Sequence, residues 1–509
     1  MNYEPRTREM PLTPEAILND FKNNDLDKTS TIDLLISLIE NAENIETRLE
    51  SIEVLEKVNF KDTIIFNILE NLLIADSNED IRCRAAEALK RLFLDDSISP
   101  LKWALQNELS LKCSLCMLNL LGDLGSIKAR KILIKKIHEI KRKKYRYNIQ
   151  SLLNDSIVNT LSNSELSEIL INFFVISFLK AKFGYISYEI NEKGLIQKLD
   201  LSNIDYQGLG LNRLEKALEC ILSLSYLKEL DLCNNHLQLL PDGIIKSNNL
   251  EILDLSFNNL SKLPESISNF KKLKILNLKS NGLKFLPDSL SNLSSLEVLI
   301  LRDNDLTELP VSLCYLKNLK VLDLHHNELK QIPYETYCLK NLKELELGWN
   351  DLDQIPISLE KLNSLEKLNL GRNSIESIPK WIGNLKSIKE IYLYDNHISS
   401  LPDNVCLLHN LLHLNLRNNR FDQFPDCLRS LTSLKILNLS WNNLTILPPW
   451  INNLINLEEL NLWGNKIDLI PDSIMDLKYI KRIYLNFNKI KQMPKILKDL
   501  EVNGVVITI

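Results

Sequence analysis

The chain has 509 residues, of which 45% are hydrophobic and 25% charged, and its formal net charge is −5. These values fit an ordinary soluble protein, and the charge is too small to demand a nucleic-acid or membrane partner. The most apolar run, residues 169–179, is shorter than the roughly 18 residues needed to cross a bilayer. Residues 1–14 lack the apolar stretch of a secretory signal. Because the nine cysteines are also scattered without a pairing pattern, we expect a cytoplasmic protein.

The first 182 residues change from no pattern to a helical one. Residues 1–25 show no periodic signal and are expected to form a flexible arm. From residue 26 to 182, apolar residues recur at helical spacing, beginning with Leu34, Leu35, Leu38 and Ile39. The sequence therefore predicts an all-α domain over residues 26–182.

Two segments of this helical domain look like copies of one unit. The stretch that begins at Arg48 aligns with the stretch that begins at Arg82, at an offset of 34 residues. Residues 80–89, DIRCRAAEAL, resemble the second helix of a HEAT-type repeat, in which an acidic residue and an apolar–Arg step precede two small residues and a leucine. The resemblance implies a HEAT-like domain of paired helices that approach closely at the alanines.

Residues 128–146 form a strongly basic segment, with ten Lys or Arg and one acid, Glu139. Such a cluster could bind an acidic partner, RNA or anionic lipid. Four isoleucines give the segment an apolar side as well, which favours the alternative of a solvated face on a packed helix: Ile132, Ile134, Ile137 and Ile140.

Residues 183–226 connect the helical domain to the repeats that follow. Ile196, Leu199 and Leu201 already have the spacing of those repeats, but Ile204 stands where the repeats have asparagine. The next unit begins 31 residues later instead of 23. We therefore expect a linker and an N-terminal capping repeat, since the first leucines of a repeat array need a cover.

Residues 227–502 contain twelve copies of one 23-residue pattern, L-x-x-L-x-L-x-x-N-x-L-x-x-L-P-x-x-I-x-x-L-x-x, without insertion or deletion. We number each copy from its first leucine as position 1. The L-x-L step has a period of two, so it predicts a short strand whose leucines point into the core. One unit cannot bury its own leucines, so the units must stack strand beside strand. The pattern resembles a leucine-rich repeat and predicts an α/β solenoid, a horseshoe with a parallel concave sheet, preceded by the all-α domain.

Position 9 is asparagine in all twelve copies. Where the chain turns off the strand, backbone N–H and C=O groups need partners inside the stack. A side-chain amide both donates and accepts, and an unpaired buried group costs about 1–3 kcal/mol. We expect a structural asparagine ladder made of Asn235, Asn258, Asn281, Asn304, Asn327, Asn350, Asn373, Asn396, Asn419, Asn442, Asn465 and Asn488.

The sequence shows no phosphate-binding, dinucleotide-binding or hydrolase motif, so we expect no catalytic residue and no cofactor. Cys113 and Cys116 have the spacing of half a zinc or redox site. They lie on an apolar helical stretch, and we expect them in the core rather than at a metal site. Residues 503–509 alternate as in a strand and are expected to cap the last repeat.

Positions 3, 5, 7, 8 and 10 of each repeat should face the concave surface or its rim. Tryptophan, tyrosine and arginine, which most often anchor protein interfaces, recur in these columns. The alternative is that aromatic side chains on neighbouring strands merely cover the sheet. The candidate protein-binding residues are Arg302, His325, His326, Trp349, Arg372, Tyr392, Tyr394, His413, Arg417, Trp441 and Trp463.

The 23-residue unit with L-P-x-x-I resembles the intracellular class of repeat found in Ras-suppressor and scribble-type proteins. The resemblance spans about residues 196–509. It implies a non-catalytic scaffold or adaptor in intracellular signalling, whose partner is another protein and, in several members of the class, belongs to small-GTPase signalling. The alternative function is binding of nucleic acid or an anionic membrane through residues 128–146.

Overall fold

A computed structural model describes residues 12–142, 158–204, 214–240 and 249–509. The chain divides into two compact units, residues 1–197 with 220–226 and residues 198–219 with 227–509. Among the helices within these described ranges, none is both long enough and apolar enough to cross a membrane.

Within residues 12–142 and 158–183, the first unit is built mainly from helices. A 3₁₀ turn, Leu94–Ser97, lies between its fifth and sixth helices. The helices are α1 Pro14–Lys22, α2 Lys28–Asn41, α3 Ile45–Val58, α4 Thr63–Ala75, α5 Glu79–Phe93, α6 Ile98–Asn107, α7 Leu111–Asp123, α8 Ile127–Arg142 and α9 Asn163–Phe183.

Three helix pairs, α2–α3, α4–α5 and α6–α7, are joined by loops of equal length that end in a capping residue. Asn44, Asn78 and Ser110 each accept a hydrogen bond from a backbone N–H group in the first turn of the following helix. Such a cap contributes about 1 kcal/mol because it satisfies a donor that the helix itself cannot. The three alanines of α5 that the sequence singled out are buried, so α5 approaches its neighbours closely.

The segment expected to be a flexible arm, residues 1–25, contains helix α1. Thr13 caps the helix by accepting from the backbone N–H of Ala16, and Ile17 is fully buried. Phe21 packs edge-on against Phe60, with ring centroids 5.3 Å apart. The helix has little more than two turns, so it carries too few apolar positions for its period to be recognised from sequence.

Strands β1 Ser187–Ile190 and β2 Ile196–Asp200, followed by the short helix α10 Glu215–Ile221, precede the repeats in the chain. Every repeat then contributes one three-residue strand. The remaining strands are β3 Glu229–Asp231, β4 Ile252–Asp254, β5 Ile275–Asn277, β6 Val298–Ile300, β7 Val321–Asp323, β8 Glu344–Glu346, β9 Lys367–Asn369, β10 Glu390–Tyr392, β11 His413–Asn415, β12 Ile436–Asn438, β13 Glu459–Asn461, β14 Arg482–Tyr484 and β15 Val506–Thr508.

Strands β2 to β15 are parallel, and each pairs with the next one along the chain. Leu345 in β8 lies opposite Leu322 in β7 and Leu368 in β9, so equal positions of neighbouring repeats are in register. This register follows from the constant repeat length, because one residue more or less would turn the leucines outward. The predicted fold class, a helical region followed by a parallel-strand solenoid, is confirmed.

In the second to the eleventh repeat, the chain returns after the strand through an extended segment and a 3₁₀ turn. Proline at position 15 precedes the turn in an extended conformation, as Pro264 does with φ of −73°. The apolar residue at position 18 is buried, as Ile267 is. The turns are Glu265–Asn269, Asp288–Asn292, Val311–Tyr315, Tyr334–Cys338, Ile357–Lys361, Lys380–Asn384, Asp403–Leu407, Asp426–Ser430, Pro449–Asn453 and Asp472–Asp476.

The asparagine at position 9 connects neighbouring repeats through hydrogen bonds. Asn373 Nδ2 donates to Leu347 O and to Leu370 O, at 3.0 Å each, and Asn373 Oδ1 accepts from Leu352 N at 3.0 Å. The same three bonds recur at every asparagine of the column from Asn258 to Asn488, and Asn235 makes the two donor bonds. Each amide therefore binds its own repeat and the preceding one.

The last repeat differs from the second to the eleventh because its return segment is an α-helix, α11, Lys495–Val502, instead of a 3₁₀ turn. Leu497 and Leu500 of this helix are buried. Strand β15 follows and pairs with β14. The helix was not expected from sequence, because its leucines occupy the same positions as in a regular repeat.

Candidate protein-binding face

The outer side of the sheet is made of positions 3 and 5 of each repeat. In β8, Leu345 at position 4 is fully buried, whereas Glu344 is exposed and Glu346 is half-buried. Positions 7 and 8 continue this surface past the end of the strand. We call the surface formed by positions 3, 5, 7, 8 and 10 the concave face.

Position 8 has a left-handed backbone in all twelve repeats. The value of φ is +54° at Trp349, Arg372 and Trp441, and +69° at Gly464. This conformation suits glycine and asparagine, whereas a bulky side chain adopts it at a cost of about 1–3 kcal/mol. The repeat imposes this backbone turn, so the bulky side chains at position 8 occupy a conformation that is unfavourable for them.

In the middle of the solenoid, five residues at position 8 contact one another in sequence order. His326 Nδ1 lies 2.8 Å from Asp303 Oδ1, and the His326 ring meets Trp349 edge-on at 5.4 Å. The Arg372 guanidinium lies 3.9 Å from the Trp349 ring centre and is ion-paired with Asp395 at 2.8 Å. We call these five residues the central row. It places a cation on an aromatic face, an arrangement that is itself attractive.

The three candidate tryptophans remain open to solvent. Trp349 is 40% exposed, Trp441 49% and Trp463 37%. Partly exposed tryptophan on a concave surface is typical of residues that a partner buries.

His325, a candidate binding residue, is only 8% exposed, so little of its side chain is open to a partner. Its ring lies against the backbone of Gly348 and 6.4 Å from Trp349. Burial lowers the pKa of His325 to about 4, so it is neutral at physiological pH. The spacing placed His325 in the correct column, but the neighbouring repeat covers it.

Tyr392 and His413 are half-buried and bound to each other. The Tyr392 hydroxyl lies 3.0 Å from His413 Nδ1 and 2.9 Å from a carboxylate oxygen of Glu390. Burial, together with Glu390, raises the pKa of Tyr392, and burial lowers the pKa of His413. Both rings therefore hold the sheet surface together, as the alternative of mutual packing expects, and offer less free surface than the tryptophans.

The remaining candidates also include both half-buried and exposed residues. Tyr394 is half-buried and lies over Gly371, where an added Cβ would come 2.3 Å from the ring. Arg302 is half-buried and is 3.8 Å from Asp303. Arg417 is exposed and forms no ion pair with any described residue. Of the eleven candidates, the exposed ones are therefore His326, Trp349, Arg372, Arg417, Trp441 and Trp463.

Phe487 is an exposed aromatic residue that sequence reasoning missed. It occupies position 8, is 74% exposed, and stacks on Trp463 at 5.9 Å with the rings 13° apart. The position alone could have identified it, since phenylalanine stands in the same column as Trp349 and Trp441.

Asp231, Cys233 and Asp254 form the cluster, within the described ranges, whose side chains could together hold a metal ion, with ligand atoms within 4.8 Å of one another. Asp231 Oδ1 already accepts a hydrogen bond from Cys233 N at 2.8 Å. Burial raises the pKa values of Asp231 and Cys233. Because such a turn bond also accounts for the geometry, we assign the cluster no metal chemistry.

The basic segment 128–146 lies partly outside the described residues, which end at 142 in this part of the chain. Its described part is helix α8, which buries Ala129, Leu133, Ile137 and Ile140. The Arg130 guanidinium donates to backbone carbonyl oxygens near residue 160 and so stabilises the fold. The helix therefore has a packed apolar side, as expected if the basic residues form the solvated face of a packed helix.

Family models and solved structures match the repeat region of the chain. Family models match the leucine-rich repeat region over residues 196–303, leucine rich repeats over 294–352 and 389–444, and further leucine rich repeats over 364–385 and 456–477. Comparison with the curated proteins finds no match.

Several solved structures resemble the solenoid. A leucine-rich repeat protein of Leptospira interrogans is 32% identical, with 61% of this chain and 95% of that chain covered and a TM-score of 0.45. An internalin of Listeria monocytogenes is 21% identical, with 61% and 86% covered and a TM-score of 0.51. A plant peptide hormone receptor, RGFR1 in complex with RGF2, is 26% identical, with 59% and 56% covered and a TM-score of 0.42.

The stacked parallel strands, the asparagine column and the family-model matches define a repeat protein of the solenoid class. The chain belongs to the leucine-rich repeat family. Leucine-rich repeat proteins generally mediate protein–protein interaction and are typically non-enzymatic binding scaffolds.

Proposed function

We propose that the protein is a non-catalytic scaffold that binds another protein with its concave face. The observation that carries this proposal is the presence of large side chains at left-handed backbone positions. Gly464 shows that glycine fits position 8, yet Trp349 and Trp441 occupy it at a conformational cost. Both indole rings also remain partly exposed, so contacts within the chain bury only part of their apolar surface. A partner that covers the rings would bury the rest.

The size of the face supports the proposal. Twelve strands at about 4.8 Å spacing give an arc of roughly 58 Å, which is enough for an interface of standard size. The central row supplies an arginine stacked on tryptophan, and these two residue types dominate binding energy at protein interfaces.

We propose a cytoplasmic location and a role in intracellular signalling, with a small GTPase among the possible partners. The location is supported by nine cysteines that are all free, because thiols persist in a reducing compartment. The signalling role is supported by the L-P-x-x-I form of the repeat, which resembles the Ras-suppressor and scribble-type class.

We also propose that the helical unit is HEAT-like. Arg48 in α3 pairs with Asp76, which ends α4, and Arg82 in α5 pairs with Glu108, which ends α6. Arg82 and Glu108 form two hydrogen bonds of 2.9 and 3.0 Å. The same ion pair thus recurs in successive helix pairs, as expected of a structural repeat.

The double variant Trp349→Asn, Trp441→Asn tests the proposed function. Asparagine adopts the left-handed conformation readily, so the backbone should stay intact while both indole rings are removed. We expect the variant to capture the specific protein partners of the wild type from native lysate at a level reduced by about tenfold or more, because two exposed aromatic anchors are lost. Quantitative mass spectrometry of the captured proteins measures this.

The matched control is Tyr315→Ala, Tyr334→Ala, which removes two aromatic rings from 3₁₀ turns outside the concave face. Tyr315 is 64% exposed and Tyr334 51%, so the loss of exposed aromatic surface is comparable. Unchanged capture by the control and an unchanged melting transition in both variants are expected. Full capture by the tryptophan variant, or an equal loss in the control, would contradict the proposal.

Binding of nucleic acid or an anionic membrane through residues 128–146 is the second function that the sequence suggested. Heparin retention that falls steeply with salt and disappears when Lys141 and Arg142 are neutralised would support it. Retention that is the same with and without these charges would contradict it.

A further inference from the structure

The cations of the concave face fall into two groups. Arg302, Lys367, Arg372 and Arg482 are each within 4.0 Å of a carboxylate on the same or a neighbouring repeat. A second group, at positions 7 and 10 of the last four repeats, is exposed and forms no ion pair with any residue of the described ranges. Its members are Arg417, Arg420, Lys466 and Lys489.

Carboxylates are nearly missing from this end of the concave face. In the last four repeats, positions 3, 5, 7, 8 and 10 contain one acidic residue, Glu459, which is ion-paired with Arg482 at 2.7 Å. The repeats in the middle differ, because Asp305, Glu328 and Asp351 occupy position 10 there. The rim therefore changes from acidic to basic along the solenoid.

Aromatic rings lie in the same repeats as the unpaired cations. Trp463 stacks on Phe487, and the Trp441 ring lies 3.0 Å from the point where a Cβ on Gly464 would stand. Trp441 therefore lies against the backbone of the next repeat, while 49% of it stays exposed. These rings add apolar surface to the end of the concave face that carries the unpaired cations.

Three asparagines at position 5 add hydrogen-bond donors to the same surface. The side-chain oxygens of Asn415, Asn438 and Asn461 accept from backbone N–H groups two residues later, at 3.0–3.1 Å. Their Nδ2 groups donate to no atom of the described chain, unlike Nδ2 of Asn369, which donates to Glu346 at 2.7 Å. The last repeats therefore offer cations and amide donors, which are suited to an anionic ligand rich in acceptors.

We propose that the last four repeats bind an acidic segment of a partner protein, whose carboxylates pair with Arg417, Arg420, Lys466 and Lys489 while an apolar side chain packs on Trp441 and Trp463. This inference rests on the proposed function and names the chemistry of the partner. A polypeptide is favoured over RNA because four cations suit a short anionic segment, whereas the formal charge of the whole chain is −5 and repels a long polyanion.

The test uses a fluorescent peptide of glutamates with one central phenylalanine, titrated into the full chain and followed by anisotropy. The charge-reversal variant R417E/R420E/K466E/K489E should bind it about tenfold or more weakly, because four ion pairs become repulsive. The matched control K262E/K284E/K330E/K380E makes the same change in net charge at exposed lysines that lie outside the last four repeats. We expect it to bind as the wild type does, and we expect the glutamine version of the peptide not to bind.

Four outcomes would overturn the inference. These are no binding of the acidic peptide, equal weakening in the control variant, tighter and equally variant-dependent binding of a single-stranded RNA of similar length, or self-association of the wild type that the reversal variant abolishes in light scattering. If the peptide fails while Trp349→Asn, Trp441→Asn still loses its protein partners, the inference falls and the proposed function stands. If the tryptophan variant also captures normally, both fall.

Discussion

The substitution Asn373→Ala should show how much one asparagine of the ladder stabilises the solenoid. Asn373 Oδ1 accepts from Leu352 N, a fully buried donor that has no other partner at hand once the amide is removed. Leu347 O and Leu370 O lose one donor each but keep another, from Asn350 at 3.1 Å and Asn396 at 2.9 Å.

The magnitude follows from this inventory. One unpaired buried N–H costs about 1–3 kcal/mol, and two weakened carbonyl contacts add roughly 1 kcal/mol together, so the free energy of unfolding should fall by about 2–4 kcal/mol. Urea unfolding followed by far-ultraviolet circular dichroism measures the change. Hydrogen exchange should also speed up at the Leu352 amide, because this N–H loses its acceptor.

Asn453→Ala is the matched control for this experiment. Asn453 is exposed in the turn Pro449–Asn453, and its side chain forms no hydrogen bond with the described chain. The control should change the unfolding free energy by less than about 0.5 kcal/mol. If Asn373→Ala were equally mild, the asparagine column would not be a stabilising ladder, and the account of how the repeats are joined would be refuted.

Two further predictions concern single contacts. Burial raises the pKa of Glu168 to about 7 from its ordinary value of 4.5, so the folded state holds the proton more tightly than the unfolded chain does. The free energy of unfolding should therefore fall as the pH rises from about 4.5 to 7. The variant Glu168→Gln should lack this fall and be more stable than the wild type at pH 8, as denaturation at several pH values will show. A variant with the pH profile of the wild type would contradict this prediction. Gly371→Ala should cost about 1–3 kcal/mol because the new methyl group displaces the Tyr394 ring, whereas Gly282→Ala, whose nearest neighbour would be 3.7 Å away, should cost far less. Equal melting temperatures for the two variants would show that Tyr394 moves freely.

The repeat architecture was predictable because the same leucine spacing recurs in all twelve repeats. Leucines at positions 4 and 6 must point into the same core, and a constant repeat length keeps every strand in register with the next. The asparagine column was predictable for a similar reason, since the turn that leaves each strand is chemically the same. Helix α1 and helix α11 were not predictable, because neither segment is long enough for its period to differ clearly from its surroundings.

The sequence predicts the repeat position of each candidate residue, but it does not predict how exposed its side chain is. Spacing placed His325 and Trp349 on the concave face, but it could not show that one covers the other, since that depends on the side chain in the next repeat. Spacing also could not show that Arg372 is ion-paired while Arg417 is free. These differences arise from contacts between repeats, and they decide which side chains a partner can reach.

Footprinting of the purified complex tests the central claim most directly. The captured partner is bound to the wild-type chain, exposed side chains are labelled with a short-lived radical, and mass spectrometry compares labelling with and without the partner. We expect labelling to fall at Trp349, Trp441 and Trp463 and to stay constant at Tyr315 and Tyr334. Unchanged labelling of the three tryptophans, or protection confined to the two tyrosines, would contradict binding by the concave face.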